Sequence, residues 1–327
     1  MNHHTSRRQL LTFGAGALAS LAVPRLASAQ DKFPNKPIRI VLGLPAGGAA
    51  DAAVRQLASA MQPILGQSLV VDNKPGAAFA LAMQAVTQAP ADGYTLQYVM
   101  NPMLSTQAMQ KRYDMFKSLT PIAKVGAGDI AFVVNGKSPH KTMQELITWA
   151  KANPGKLTYA SPGIGTLEHL ALDTLCRRNG ITAVHVPFKG GPEMLQAVAA
   201  GEVELSTLAV PLVLQFAPKG MVRPLVILSD ERNAKLPEVP SLKDLKLDVP
   251  RVVIWGGLAA SADTPKAVVA VLEKAVLAAM ENPELRKQYE MVGLMPAAAN
   301  GADFGKTWKE DWAWISKAVS DAKLAEN

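Results

Sequence analysis

Ile38-Arg39-Ile40-Val41-Leu42-Gly43-Leu44 runs directly into Pro45-Ala46-Gly47-Gly48, and apolar residues at helical spacing follow at Val54, Leu57, Ala58 and Met61. A short apolar strand, a glycine loop and a helix, in that order, form the building unit of a parallel α/β sheet. The unit recurs. Leu157-Thr158-Tyr159-Ala160 leads into Ser161-Pro162-Gly163-Ile164-Gly165-Thr166, and 167–178 reads as a helix stopped by Asn179-Gly180. Such a loop leaves backbone N–H groups unpaired at the positive end of a helix, a setting that suits an anion. Glycine permits positive φ there and lets a ligand approach the backbone. Two loops of this kind point to two half-sites closing on one ligand.

Working outward, strand-like and helix-like segments alternate. Strands are expected at 69–71, 94–100, 119–125 and 130–135, with a turn at Asp72-Asn73-Lys74-Pro75-Gly76 and a helix over about 79–88. The alternation restarts with a helix at 142–153, then strands at 183–188, 203–208 and 223–228 around a helix at 192–200. The stretch 252–258 leads back toward the first half. Thr264 is the expected cap of a helix with Pro265 at its first position. A last helix, 302–322, carries Phe304, Trp308, Trp312 and Ile315 on one face, which reads as core packing rather than a ligand platform. The expected fold is α/β, with mostly parallel sheets flanked by helices and two domains.

Residues 1–29 read as an export signal. Arg7-Arg8 precede an apolar stretch from Leu10 to Val23, and Ala27-Ser28-Ala29 forms a cleavage site. Ser6-Arg7-Arg8-Gln9-Leu10-Leu11 also fits a twin-arginine signal. Either route implies the periplasm of a bacterium. Without that segment the chain holds 31 basic and 27 acidic residues, net +4, with no run of basic residues. Nucleic acid binding is therefore not indicated, whereas a mild positive balance favours small anions. The single cysteine, Cys176, excludes an intramolecular disulfide and reads as a small buried residue on a helix. The remaining histidines, His140, His169 and His185, lack metal-ligand spacing, so neither a metal nor a cofactor is expected.

Candidate ligand contacts follow from the loops. Pro45, Ala46, Gly47 and Gly48 form one half, and Ser161, Gly163, Gly165 and Thr166 the other. Thr166 is the expected cap, with the N–H groups of 165–168 pointing outward. Asp51, in the first turn of its helix, is expected to hold its loop, and His169 to be hydrogen-bonded locally. Catalysis is disfavoured. Ser161 has glycines after it but no G-x-S-x-G around it, and it precedes the helix that carries His169 and Asp173. Gly163-Ile164-Gly165-Thr166-Leu167-Glu168 has glutamate where a dinucleotide loop needs its last glycine.

The chain resembles the receptors of tripartite tricarboxylate transporters, the Bug family of periplasmic binding proteins. The resemblance rests on Phe33-Pro-Asn-Lys-Pro-Ile38, Pro45-Ala-Gly-Gly48 with Asp51, Val71-Asp-Asn-Lys-Pro-Gly76 and Asp92-Gly-Tyr-Thr-Leu96. It continues through Ala150-Lys-Ala-Asn-Pro-Gly-Lys-Leu157, Tyr159-Ala-Ser-Pro-Gly-Ile-Gly-Thr166, His185-Val-Pro-Phe-Lys-Gly190 and Leu236-Pro-Glu-Val-Pro-Ser241. It implies a Venus-flytrap fold of type II, with residues 30–128 and 252–327 in one domain and 129–251 in the other. It also implies a small carboxylate in the cleft, a membrane permease that receives it, and a monomeric, non-catalytic receptor. A sensor feeding a signalling partner, or a periplasmic hydrolase, are the alternatives.

This chain departs from the family's usual pattern at Ala49-Ala50, at Ala77-Ala78-Phe79 after Pro75-Gly76, at Ser206-Thr207-Leu208, and at Phe188. Each change removes polarity. Phe79 and Thr207 accordingly join the expected ligand contacts, and the expected ligand is less polar than citrate or aspartate, such as an aromatic or longer aliphatic dicarboxylate of the terephthalate kind.

Overall fold

A computed structural model describes residues 33–292 and 294–326. The expected export segment and its cleavage site lie outside the described residues. The chain opens with β1 (Ile38–Leu42), α1 (Ala49–Leu65), β2 (Leu69–Asn73), α2 (Ala80–Thr87), β3 (Thr95–Met100), α3 (Pro102–Gln110) and α4 (Met115–Ser118). A long strand, β4 (Leu119–Asn135), leads to α5 (Met143–Ala152), β5 (Leu157–Ser161), α6 (Leu167–Asn179), β6 (Ala183–Pro187) and α7 (Gly191–Ala200). Next come β7 (Leu205–Ala209), α8 (Val210–Phe216), β8 (Val222–Ile227) and α9 (Leu242–Leu245). The chain then returns through β9 (Val253–Ser261), α10 (Lys266–Met280), α11 (Pro283–Met291), β10 (Met295–Asn300) and α12 (Gly301–Asp321).

The strand order is β2-β1-β3-β9-β4-β7-β5-β6, with β8 and β10 also paired to β4. The outer strands of each half are parallel, as expected: β1 with β2 and β3, and β5 with β6 and β7. The middle is antiparallel, because β9 runs against both β3 and β4, and β4 runs against β7 and β8. The sheet is therefore mixed rather than mostly parallel. The long return of the chain brings β9 in against its neighbours.

Residues 119–135 form one strand, not the two expected. Gly126-Ala127-Gly128 read as a break, yet Gly126 pairs with Gly256 and Gly128 with Ile254. The missing side chain at Gly126 leaves room for the Tyr289 ring, which would lie 3.3 Å from an added Cβ. Glycine here makes space for packing rather than ending the strand. The strand joins both halves: Leu119–Asp129 pairs with β9, and Ile130–Val133 with β7.

This register fixes where the strands point. Met100, at the end of β3, lies opposite Gly256, which lies opposite Gly126 of β4. Ala209, at the end of β7, lies opposite Ile130. The carboxyl ends of the two parallel sets therefore face each other across residues 126–130. In open α/β sheets that edge is where ligands bind.

The last helix packs as its spacing predicted. Phe304, Trp308 and Ile315 are buried, and Trp308 lies parallel to Trp255 at 6.4 Å. Trp312 is half-buried and meets Phe116 edge-on at 5.7 Å. Trp255 is thus core, held by Nε1 donating to Asp311 Oδ2 at 2.6 Å. One cap differs from expectation. Helix α10 starts at Lys266, with the Pro265 carbonyl accepting from Val268 and Val269, while the Thr264 hydroxyl is buried without a partner among the described residues. Cys176 is buried, and burial pushes its thiol up to about 12. Among the described residues no helix is long and apolar enough to cross a membrane.

Candidate functional site

The first loop leaves β1 and enters α1 through Gly47, at φ +89, and Gly48, the extended N-cap. Pro45, Ala46, Gly47 and Gly48 are exposed. Asp51 is buried and holds the loop: Oδ2 accepts from Gly47 N at 3.0 Å and Arg55 Nε at 3.0 Å, and Oδ1 accepts from Asn73 Nδ2 at 2.9 Å. Asn73 Nδ2 also donates to the Leu44 carbonyl at 3.0 Å, and its Oδ1 accepts from Arg55 at 2.8 Å. The Arg55 guanidinium, joined by the Gly47 and Asn73 donors, lowers the Asp51 carboxyl to about 2 despite its burial. Asp51 is thereby committed to the loop. The N–H groups of Gly48, Ala49 and Ala50 meet no acceptor among the described residues.

The second loop leaves β5 and enters α6. Thr166 caps the helix, as expected, accepting from His169 N at 3.3 Å. Gly163 and Gly165 have φ of +137 and +79. Ser161 is fully buried, and its Oγ accepts from Gly163 N at 3.2 Å. The expectation that the Gly165 N–H points outward is wrong: it turns inward to His169 Nδ1 at 3.3 Å. His169 is thus bonded locally, as expected, and its burial and the adjacent His185 lower it to about 4. The N–H groups of Ile164 and Leu167 in this loop instead meet no acceptor among the described residues.

Ser161 does not join His169 and Asp173. Its Oγ lies 2.8 Å from His185 Nε2, and Asp173 pairs with Arg177. By strand register Thr207 sits one position beyond the Ala160–Ser206 pair, beside Ser161, and pairs with Phe132. Thr207 is buried and its hydroxyl has no partner among the described residues. Leu208 is buried with Met194, Leu195 and Val198 of α7, and Phe188 packs on the same cluster. Leu208 is thus core, whereas Phe188 is only half-buried.

Beside the first loop, Ala77, Ala78 and Phe79 have φ of +46, +52 and +71. Three consecutive non-glycine residues in the left-handed region cost roughly 1–2 kcal/mol each. That geometry explains why a glycine-rich run is the easier solution there. It turns the Phe79 ring onto Gly43, where an added Cβ would lie 2.7 Å from Cδ1. Phe79 is half-buried and packs on the core of the first half.

Four contributors went unread in the sequence. Arg55 had a signal, its i,i+4 spacing from Asp51. Asn73 and His185 lie in segments that carry the resemblance, but their contacts, like that of Met109, come from pairing between distant elements. Met109 of α3 lies against Gly165, its Sδ 2.2 Å from where a Cβ would be. Cavities of about 650 Å³ beside Thr142 and Arg223, and about 760 Å³ between α3 and α12, contain none of the loop residues and take no part in this arrangement.

Residues 53–321 match the family model described as tripartite tricarboxylate transporter family receptor. A Cupriavidus necator protein, named only by its place in the gbd 5' region, is 36% identical over 319 residues, covering 96% of this chain and 97% of its own. Among solved structures, a TctC solute binding protein from Polaromonas superposes with a TM-score of 0.81 at 26% identity, covering 88% of this chain and 99% of its own. MatC from Rhodopseudomonas palustris, with bound malate, gives 0.69 at 25% identity, covering 88% and 100%.

Proposed function

The chain belongs to the tripartite tricarboxylate transporter receptor family, whose members are periplasmic solute-binding receptors, and we propose that it grips a small carboxylate between its two glycine loops. The observation that carries this reading is the opposition of the loops: they leave parallel strands whose carboxyl ends face each other across residues 126–130. Each loop opens a helix with N–H groups that meet no acceptor among the described residues, Gly48 to Ala50 on one side and Leu167 on the other. A carboxylate accepting such donors gains about 1.5–3 kcal/mol per bond. Bound malate in MatC supports the ligand class.

The finer assignments are ours. Residues 30–128 and 252–327 form one lobe and 129–251 the other, and closure about the β4 and β9 crossings traps the ligand. Pro45, Ala46, Gly47, Gly48, Phe79, Ser161, Gly163, Gly165, Thr166 and Thr207 surround the site, with Asp51 and His169 shaping the loops. A permease of the tripartite tricarboxylate type takes the ligand from a monomeric receptor exported to the periplasm. Ala50 and Phe79 favour a dicarboxylate with an apolar middle, such as terephthalate, over citrate or aspartate.

The protein is not an enzyme in this reading. Ser161 is fully buried, and its Oγ, bonded to the Gly163 N–H and to His185, holds the loop. Calorimetric titration with malate, citrate, aspartate, adipate and terephthalate tests the proposal. Binding of at least one, without turnover of ester substrates, is expected; tight citrate or aspartate binding with no aromatic acid binding would rule out the apolar preference.

A further inference from the structure

His169 and His185 meet beneath the second loop with ring centroids 4.4 Å apart. His185 also stacks on Tyr159 at 5.1 Å, with 26° between the planes. Each ring holds a different part of the loop. His169 Nδ1 accepts the Gly165 N–H directly. His185 Nε2 bonds Ser161 Oγ, which in turn accepts the Gly163 N–H. We propose that His185 is a positioning residue for the second loop, acting through Ser161, and that it and His169 form a brace that holds only while His169 is neutral. The proposal rests on the loop being one side of a carboxylate grip, and it adds a proton switch to that site.

The two rings respond differently to a proton. A charged His185 keeps its bond: Nε2–H donates to Ser161 Oγ, and the hydroxyl proton turns to the Gly163 carbonyl, 3.3 Å away. A charged His169 does not. Its Nδ1 gains a hydrogen that faces the Gly165 N–H, and two donors cannot bond. Gly165 is buried, so its N–H would be left without a partner.

The surroundings keep His169 neutral under ordinary conditions. Burial and the second imidazole hold its titration down to about 4. Asp173, further along α6, pulls the other way, but Arg177 Nε holds it at 2.6 Å and links it to Asp321 of α12. On β5 the Tyr159 phenol is kept neutral by burial, and on α6 burial pushes Glu168 and Cys176 toward their neutral forms. Acid therefore acts on the loop through one group. Acidification through pH 4 releases Gly165 and loosens the loop.

The test reads amide hydrogen-exchange protection of residues 163–167 in the ligand-free protein, beside malate titrations by calorimetry. His185→Ala is expected to lower protection of the Gly163 and Gly165 amides at least tenfold at pH 7, and His185→Gln, which still reaches Ser161, to recover most of it. Wild type should lose the same protection between pH 7 and pH 4. His169→Gln, whose amide oxygen still accepts from Gly165, should not. Unchanged protection in His185→Ala, or equal acid loss in His169→Gln and wild type, would overturn the proposal. If His185→Ala fails to fold, the His169→Gln comparison decides alone. Because exchange is read without ligand, failure of malate and every other carboxylate to bind would count against the grip and not against the brace.

Discussion

Met109 and Gly165 are in direct contact: the Met109 Sδ fills the place that a side chain at Gly165 would take, 2.2 Å from the ideal Cβ position. A helix that follows a strand of the first half thus packs on the loop of the second. Gly165 also needs its φ of +79. Gly165→Ala is expected to cost roughly 1–2 kcal/mol from backbone strain, plus the displacement of Met109. The sulfur is the far end of a flexible chain, so Gly165→Ala/Met109→Ala should recover the displacement and leave the strain. Urea titrations of the single and double variants separate the two parts.

Asp51 holds three donors at once, so Asp51→Ala should cost about 2–3 kcal/mol and loosen the first loop. Its carboxyl is lowered to about 2 from 3.8. A lowered acid contributes stability that is present above the ordinary value and is lost as pH falls through the folded one. Wild type should lose that part between about pH 4 and pH 2. Asp51→Asn should lack this step, which unfolding curves at successive pH values would detect.

The left-handed turn at Ala77, Ala78 and Phe79 predicts a gain. Ala78→Gly relieves a φ of +52 in a residue that is only half-buried. Net of the extra chain freedom of glycine when unfolded, stability should rise by about 0.5–1 kcal/mol. A loss measured by thermal or urea unfolding would mean that the alanine packs more favourably than its backbone suggests.

Asp311 joins the returning strand to the last helix. It accepts from Trp255 Nε1, Trp314 Nε1 and Asn101 Nδ2, and burial raises its pKa above 3.8. For a raised acid the folded state keeps the proton longer, so stability falls as pH rises through that window. Asp311→Ala strands three donors and should cost roughly 3 kcal/mol. Asp311→Asn should cost less and flatten the pH dependence above pH 4.

Much of this arrangement was legible in the sequence because it is local. The strand–loop–helix units at Gly47 and Gly165, the Thr166 cap and the bond from Gly47 N–H to Asp51 depend on residues within a few positions of one another. What stayed hidden depends on pairing. Gly126 reads as a break until Gly256 and Tyr289 meet it, and His185 reads as isolated until β6 lies beside β5. The direction of the Gly165 N–H also follows from a side chain one turn away, and either orientation fits the sequence. Leu208 shows the converse: an apolar substitution near a site in sequence can belong wholly to the core.

The measurement that bears most directly on the grip is an NMR titration of the backbone amides with the carboxylate that gives the largest thermal shift. At 100 times its Kd such a ligand stabilises the protein by about 2.7 kcal/mol, so it can be chosen without ambiguity. The account predicts that Gly48, Ala49 and Ala50 in the first loop and Leu167 in the second all shift, with one shared Kd. Shifts confined to one loop, or two different constants, would contradict it.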